Sequence, residues 1–118
     1  MDAQVIRRSG ATLGAALSLA LSAGIARADA IDGNWCREGR QMSIRGPAIV
    51  TPAGTAMQGD YDRHGFAYVV PAGEPKAGQT VIMVLLNETT LQLATGADRT
   101  AATKAPTEVW RRCSATTS

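Results

Sequence analysis

Asp60, Asp62 and His64 occupy alternate positions, so on an extended strand their side chains share one face and could converge on a divalent cation. Three ligands without an obvious fourth, followed at once by Gly65, better suit a polar turn in which Asp62 or His64 bonds backbone amides. No metal is therefore expected. Nucleophilic catalysis needs a Ser or Cys beside a base. Beyond residue 30 the chain offers Ser43, Ser114 and Ser118, with His64 as the only imidazole. Carboxylates for glycoside hydrolysis would have to be assembled from scattered loops. One His and two Cys exclude a conventional zinc finger or an iron–sulfur cluster supplied by a single chain. An enzyme is not expected, and nothing calls for a cofactor.

Cys36 and Cys113 carry a different chemistry. An even, isolated pair in an exported chain reads as a disulfide, and closing so long a segment would stabilise by up to about 4.5 kcal/mol on the loop-entropy argument. Redox-active thiols would sit close together in sequence, which these do not. The run Pro71-Ala72-Gly73-Glu74-Pro75-Lys76-Ala77-Gly78 has no apolar anchor, so it should project from the fold as a loop. Its prolines limit the entropy lost on docking. Arg63 and His64 in the preceding turn are companions for it.

The elements that must position these residues are strands. Gly and Pro recur at short intervals from Gly33 to Gly78, leaving no room for helices of ordinary length. Between them Met42 and Ile44 alternate with Ser43 and Arg45, and Phe66, Tyr68 and Val70 alternate with Ala67 and Val69. Val81–Leu86 is apolar on both faces, the mark of the most buried strand. The pattern predicts about eight strands: Gly33–Cys36, Arg40–Arg45, Ala48–Thr51, Ala56–Tyr61, Gly65–Val70, Gln79–Leu86, Thr89–Ala94 and Thr107–Cys113. The firmest hairpin turns at Asn87-Glu88. An all-β, small antiparallel up-and-down barrel is the simplest closure because it removes exposed edges; a small β-sandwich is the runner-up. Thr95–Pro106, with no large apolar side chain, reads as a long flexible loop, and Ser114–Ser118 as a tail.

The first thirty residues read as an export leader. Arg7 and Arg8 precede an uncharged stretch from Ser9 to Ala26, and Ala28-Asp29-Ala30 supplies small residues for cleavage before Ile31, with Ala26-Arg27-Ala28 as the fallback. The stretch is too weakly apolar for a permanent span. The paired arginines also allow a twin-arginine route. The expected product is one periplasmic or secreted domain, residues 31–118, without stable membrane insertion. Whole-chain charge is +2, and loss of residues 1–30, with three Arg and two Asp, lowers it to about +1. A nucleic-acid partner is excluded, since such a binder would show clustered cations.

Gly33-Asn34-Trp35 and Trp110-Arg111-Arg112 resemble the pattern of lipocalin-like (calycin) barrels, in which a cation from the last strand covers the indole of the first. That resemblance implies a small-ligand carrier. The leader, the Cys near each end and the strand count are similar to bacterial inhibitors of C-type lysozyme. Their Ser-Gly-x-x-Tyr motif corresponds here to His64-Gly65-Phe66-Ala67-Tyr68, with His in place of Ser. Lys76-Ala77-Gly78 echoes their second motif without its aromatic. The run from Trp35-Cys36 to Tyr68 also looks like small exported bacterial proteins of unassigned role. The expectation is a binding module directed at another envelope or secreted macromolecule, for which the second resemblance implies inhibition. Its candidate binding residues are Arg63, His64, Tyr68 and Lys76. The alternative is the lipocalin-like carrier.

Overall fold

The computed structural model describes residues 30–114; the expected leader lies, but for Ala30, outside them. Nine strands form one antiparallel sheet: β1 (Gly33–Arg37), β2 (Arg40–Arg45), β3 (Ala48–Val50), β4 (Ala56–Gln58), β5 (Asp60–Asp62), β6 (Gly65–Val69), β7 (Thr80–Asn87), β8 (Thr90–Gly96) and β9 (Glu108–Arg112). Their order is β4-β3-β2-β1-β9-β8-β7-β6-β5. The two outermost strands are the halves of one segment, interrupted only at Gly59, so the sheet curls into a nearly closed barrel.

Gly59 explains why nine strands appear where about eight were expected. The first half of Ala56–Asp62 pairs with β3 and the second with β6, so the chain must change partner in its middle. A Cβ at Gly59 would stand 2.5 Å from the Ala67 carbonyl oxygen and 2.7 Å from the Phe66 ring. Only glycine allows that approach. The opposite seam is continuous: Trp35 pairs with Arg112 and Cys36 with Arg111. There the Cys36–Cys113 disulfide joins the first strand to the residue after the last.

Alternation sends one face of most strands inward, whereas β5, at the edge of the sheet, is exposed throughout. Trp35, Met42, Ile44, Ile49, Phe66, Met83, Leu91, Leu93 and Trp110 form one continuous buried cluster, with Met57 and Leu85 packed against it. Both indoles are 0% exposed. Burying two such rings contributes more than any other pair of side chains here, because aromatic area dominates core energetics.

Three local expectations are corrected. Val81–Leu86 is not buried on both faces, since Val84 and Leu86 are half exposed, and β8 rather than β7 is the most buried strand. The turn between β7 and β8 is Glu88-Thr89 rather than Asn87-Glu88, since Asn87 pairs with Thr90 and accepts the Thr89 N–H through Oδ1 at 3.0 Å. Thr95–Pro106 is not a flexible loop. β8 runs on to Gly96, and a short helix, α1 (Arg99–Lys104), follows. Asp98 caps it by accepting the Ala101 N–H at 2.8 Å. Ala102 is 0% exposed, and its backbone lies so close to Gly96 that a Cβ there would meet it at 2.4 Å. The helix packs against β7 and β8 through small residues, which is why no large apolar side chain announced it.

Candidate functional site

The up-and-down path sends alternate connections to opposite ends of the barrel. One end gathers residues 30–32, the turns at Gly46-Pro47, Arg63-His64 and Glu88-Thr89, and the close of β9. The other gathers the β1–β2 turn, the β3–β4 loop, the Pro71–Gly78 loop and the approach to α1.

The first end is clamped. The Arg112 guanidinium lies over the Trp35 ring at 4.4 Å, a cation–indole contact between the last strand and the first. It donates from Nη1 to the Asp32 carbonyl at 2.6 Å, from Nη2 to the Ala30 carbonyl at 2.7 Å and from Nε to the Glu88 carbonyl at 2.5 Å. Gly33, at φ +134°, makes room: a Cβ there would meet Arg112 Nη1 at 2.5 Å. Trp35 Nε1 donates to the Ile31 carbonyl at 2.8 Å, and the Ile31 N–H to the Arg63 carbonyl at 2.7 Å.

The Asp32 carboxylate accepts the Tyr61 hydroxyl at 2.5 Å and the Gly46 N–H at 2.7 Å. Its partial burial would raise its pKa; these hydrogen bonds and the nearby Arg112 charge outweigh that and hold it below the ordinary carboxylate value. Tyr61 is raised in return, chiefly by the bond to Asp32. A cleft of about 720 Å³ beside the clamp is lined by Asp32, Asn34, Arg45, Tyr61 and Arg63. Arg63 and His64 are exposed at this end. Asp60, Asp62 and His64 do not converge on a common point. Asp62 Oδ1 accepts the His64 N–H at 2.9 Å, the turn geometry expected, while Asp60 pairs with Arg99 of α1 at 3.2 Å. Among the described residues, no three His, Cys, Asp or Glu side chains are grouped to hold a metal.

The second end is a mouth. A cleft of about 340 Å³ opens there, lined by Arg40, Tyr68, Glu74, Lys76, Thr95 and Glu108 over an apolar floor of Val70, Val81 and Leu93. Its roof is the Pro71–Gly78 loop, which folds over the barrel end rather than projecting from it. Thr51 Oγ1 donates to Glu74 Oε2 at 2.6 Å, and Val70 and Gly78 carry backbone bonds that close the loop's base. Glu108 Oε1 accepts Trp110 Nε1 at 3.1 Å, and the Arg40 guanidinium stands 5.2 Å from the Trp110 ring centroid.

Tyr68 sets the mouth apart. It is 7% exposed, meets Phe66 edge to face at 6.5 Å, and its hydroxyl makes no hydrogen bond among the described residues. Burial, and next the Glu74 charge, push its pKa up to about 12, against a smaller pull from Arg40. The hydroxyl therefore keeps its proton and stands as a donor facing the cleft.

Of the four residues singled out from the sequence, Tyr68 and Lys76 meet at the mouth, whereas Arg63 and His64 lie at the clamped end. One patch cannot use all four. Arg40, Glu74 and Glu108 were missed. For two of them a signal exists: Arg40 is in phase with the buried Met42 and Ile44, and Glu108 with Trp110. A charge in the inward phase at a strand's end marks a barrel opening. In comparison with known proteins, the chain matches no protein family, no curated protein and no solved structure.

Proposed function

We propose that this domain is an exported binding module that takes a small ligand at the mouth and performs no covalent chemistry. The observation that carries this reading is the contrast within the barrel. Its interior is filled by one buried cluster from the Trp35 clamp upward, while the mouth keeps a concave cleft under the Pro71–Gly78 loop, where the ring of Tyr68 is buried and its hydroxyl, without a protein partner among the described residues, is open to solvent. A hydroxyl held in place on a packed ring, with only water as its partner, is free to donate to a ligand acceptor instead. The packed interior disfavours a carrier with a deep cavity of the lipocalin type and favours shallow capture under the Pro71–Gly78 roof. Equilibrium dialysis of the folded protein against a low-molecular-weight envelope extract, read by mass spectrometry, tests it. A compound retained by the parent and lost in Arg40→Ala is expected; retention that ignores the mouth variant, or none, refutes the reading.

A second reading, inhibition of a partner enzyme such as a C-type lysozyme, rests on the exposed Arg63-His64 turn beside the cleft at the clamped end. Its test is the Arg63→Ala, His64→Ala double variant in a lysozyme inhibition assay. Inhibition by the parent that the double variant loses would support a site at that turn, and no inhibition by the parent ends it.

A further inference from the structure

The inventory of charges at the mouth says what kind of small molecule fits, on the premise that the mouth is the binding site. Two cations, Arg40 and Lys76, and two carboxylates, Glu74 and Glu108, border the same cleft of about 340 Å³. Both signs are therefore present in the lining, although Glu108 is already engaged by Arg37 at 3.9 Å and by Trp110 Nε1, which leaves Glu74 as the carboxylate with capacity for a ligand cation. Each sign nevertheless has unspent capacity. Glu74 uses Oε2 to accept from Thr51, and its Oε1 makes no hydrogen bond among the described residues. Lys76 makes neither a hydrogen bond nor an ion pair there, and Arg40 is held only by its approach to the Trp110 ring. Near both Glu74 and Arg40 stands the Tyr68 hydroxyl, a donor with no protein acceptor among the described residues and open to solvent.

The space is at the small end of ligand pockets, which run from about 300 to 1,000 Å³. Its floor of Val70, Val81 and Leu93 is apolar, so a polar ligand with no apolar portion would leave that floor unused.

We propose that the mouth binds a small zwitterion with an apolar side chain, such as a free apolar amino acid or a short peptide of such residues. The ligand carboxylate accepts from the Tyr68 hydroxyl and the Arg40 guanidinium, with Lys76 beside it. The ammonium faces Glu74, and the side chain lies on the floor of Val70, Val81 and Leu93. Charge-assisted bonds of this kind are the strong ones, and leaving either ligand charge unmatched in a partly desolvated cleft costs affinity. Lys76 takes part from the roof, where its positive φ of 67° marks a tight loop.

The test maps backbone amide shifts of the full mature domain during titration with four probes: leucine, leucyl-leucine, N-acetylleucine, which lacks the ammonium, and leucinamide, which lacks the carboxylate. Leucine or leucyl-leucine should perturb residues around Tyr68, Glu74 and Lys76. Both blocked leucines should bind about tenfold more weakly than the better of those two, and Tyr68→Phe should weaken that one by a similar factor while leaving the spectrum folded. If the blocked compounds bind at the mouth as well as the zwitterions, or Tyr68→Phe changes nothing, the zwitterion assignment fails and the mouth reading stands. If no probe perturbs the mouth, or shifts fall only around Arg63 and His64, the assignment fails, and the dialysis experiment then decides whether the mouth binds anything else.

Discussion

The two ends of the barrel are built from the same residue types, an arginine near an indole and carboxylates nearby, yet they are wired differently. At the clamped end Arg112 spends its donors on three backbone carbonyls, and Asp32 accepts from two groups. At the mouth Arg40 only approaches Trp110, Glu74 has one hydrogen bond and Tyr68 none. Polar groups that satisfy one another hold a fold together. Polar groups held in place with water as their partner can exchange that water for something else. On the proposed reading, this difference in hydrogen bonding is what sets the mouth apart from the clamped end.

Breaking the clamped end should cost most. Trp35→Ala removes a 0% exposed indole together with the platform under Arg112, and should lower stability by about 3–5 kcal/mol in denaturant unfolding. Replacing Cys36 and Cys113 together by Ala should cost about 2–4 kcal/mol by the same measurement, since the bridge spans 77 residues and its loss frees the unfolded chain. Arg112→Met keeps the aliphatic contact but loses the three carbonyl bonds and the cation, and should cost about 2 kcal/mol.

Acid should act at this end too. Asp32 has a depressed folded pKa, so its contribution is present above the unfolded carboxylate value near 4 and is lost as pH falls through the lower folded value. Unfolding midpoints measured down that range should decline more steeply in the parent than in Asp32→Asn.

The mouth should respond least. Tyr68→Phe removes a hydroxyl with no protein partner, so stability should change by less than about 0.5 kcal/mol, with a slight gain as the favoured sign. Because burial raises Tyr68 to about 12, its phenolate absorbance should appear well above the ordinary tyrosine range. Stability linked to it should be present below pH 10 and fall as pH rises through 12. A Tyr68→Phe variant that unfolds readily would erase the contrast between the ends.

Much of this was readable in the residues because strand period and Gly/Pro punctuation are local signals. Alternation in Gln41–Arg45 and Gly65–Val70 marked inward faces correctly, and Cys36 and Cys113 marked the seam. What escaped depended on closure. Ala56–Tyr61 reads as one strand because nothing local says that Gly59 must pass against the Phe66 ring. The helix at Arg99–Lys104 packs by Ala102 against Gly96, contacts too small to carry periodicity, although Asp98 was a readable cap. Tyr68 drew notice through a motif shared with His64 and Lys76 through a second motif, but β6, between His64 and Tyr68, carries His64 to the opposite end. Arg40, Glu74 and Glu108 meet only after the sheet has curled, so their convergence is a property of register rather than of any segment.

The seam between β1 and β9 also constrains the order of events in folding. A chain that emerges N-terminus first can pair β1 with β2, β2 with β3 and β3 with β4 early, but Trp35 has no cation above it and Cys36 no partner until Arg112 and Cys113 have emerged. The first strand must wait, with one edge unpaired, for the last. Such long-range closure makes folding slow relative to helical domains of the same size. It also ties completion of the barrel to arrival of the whole chain, so a product truncated before β9 should remain an open, association-prone sheet.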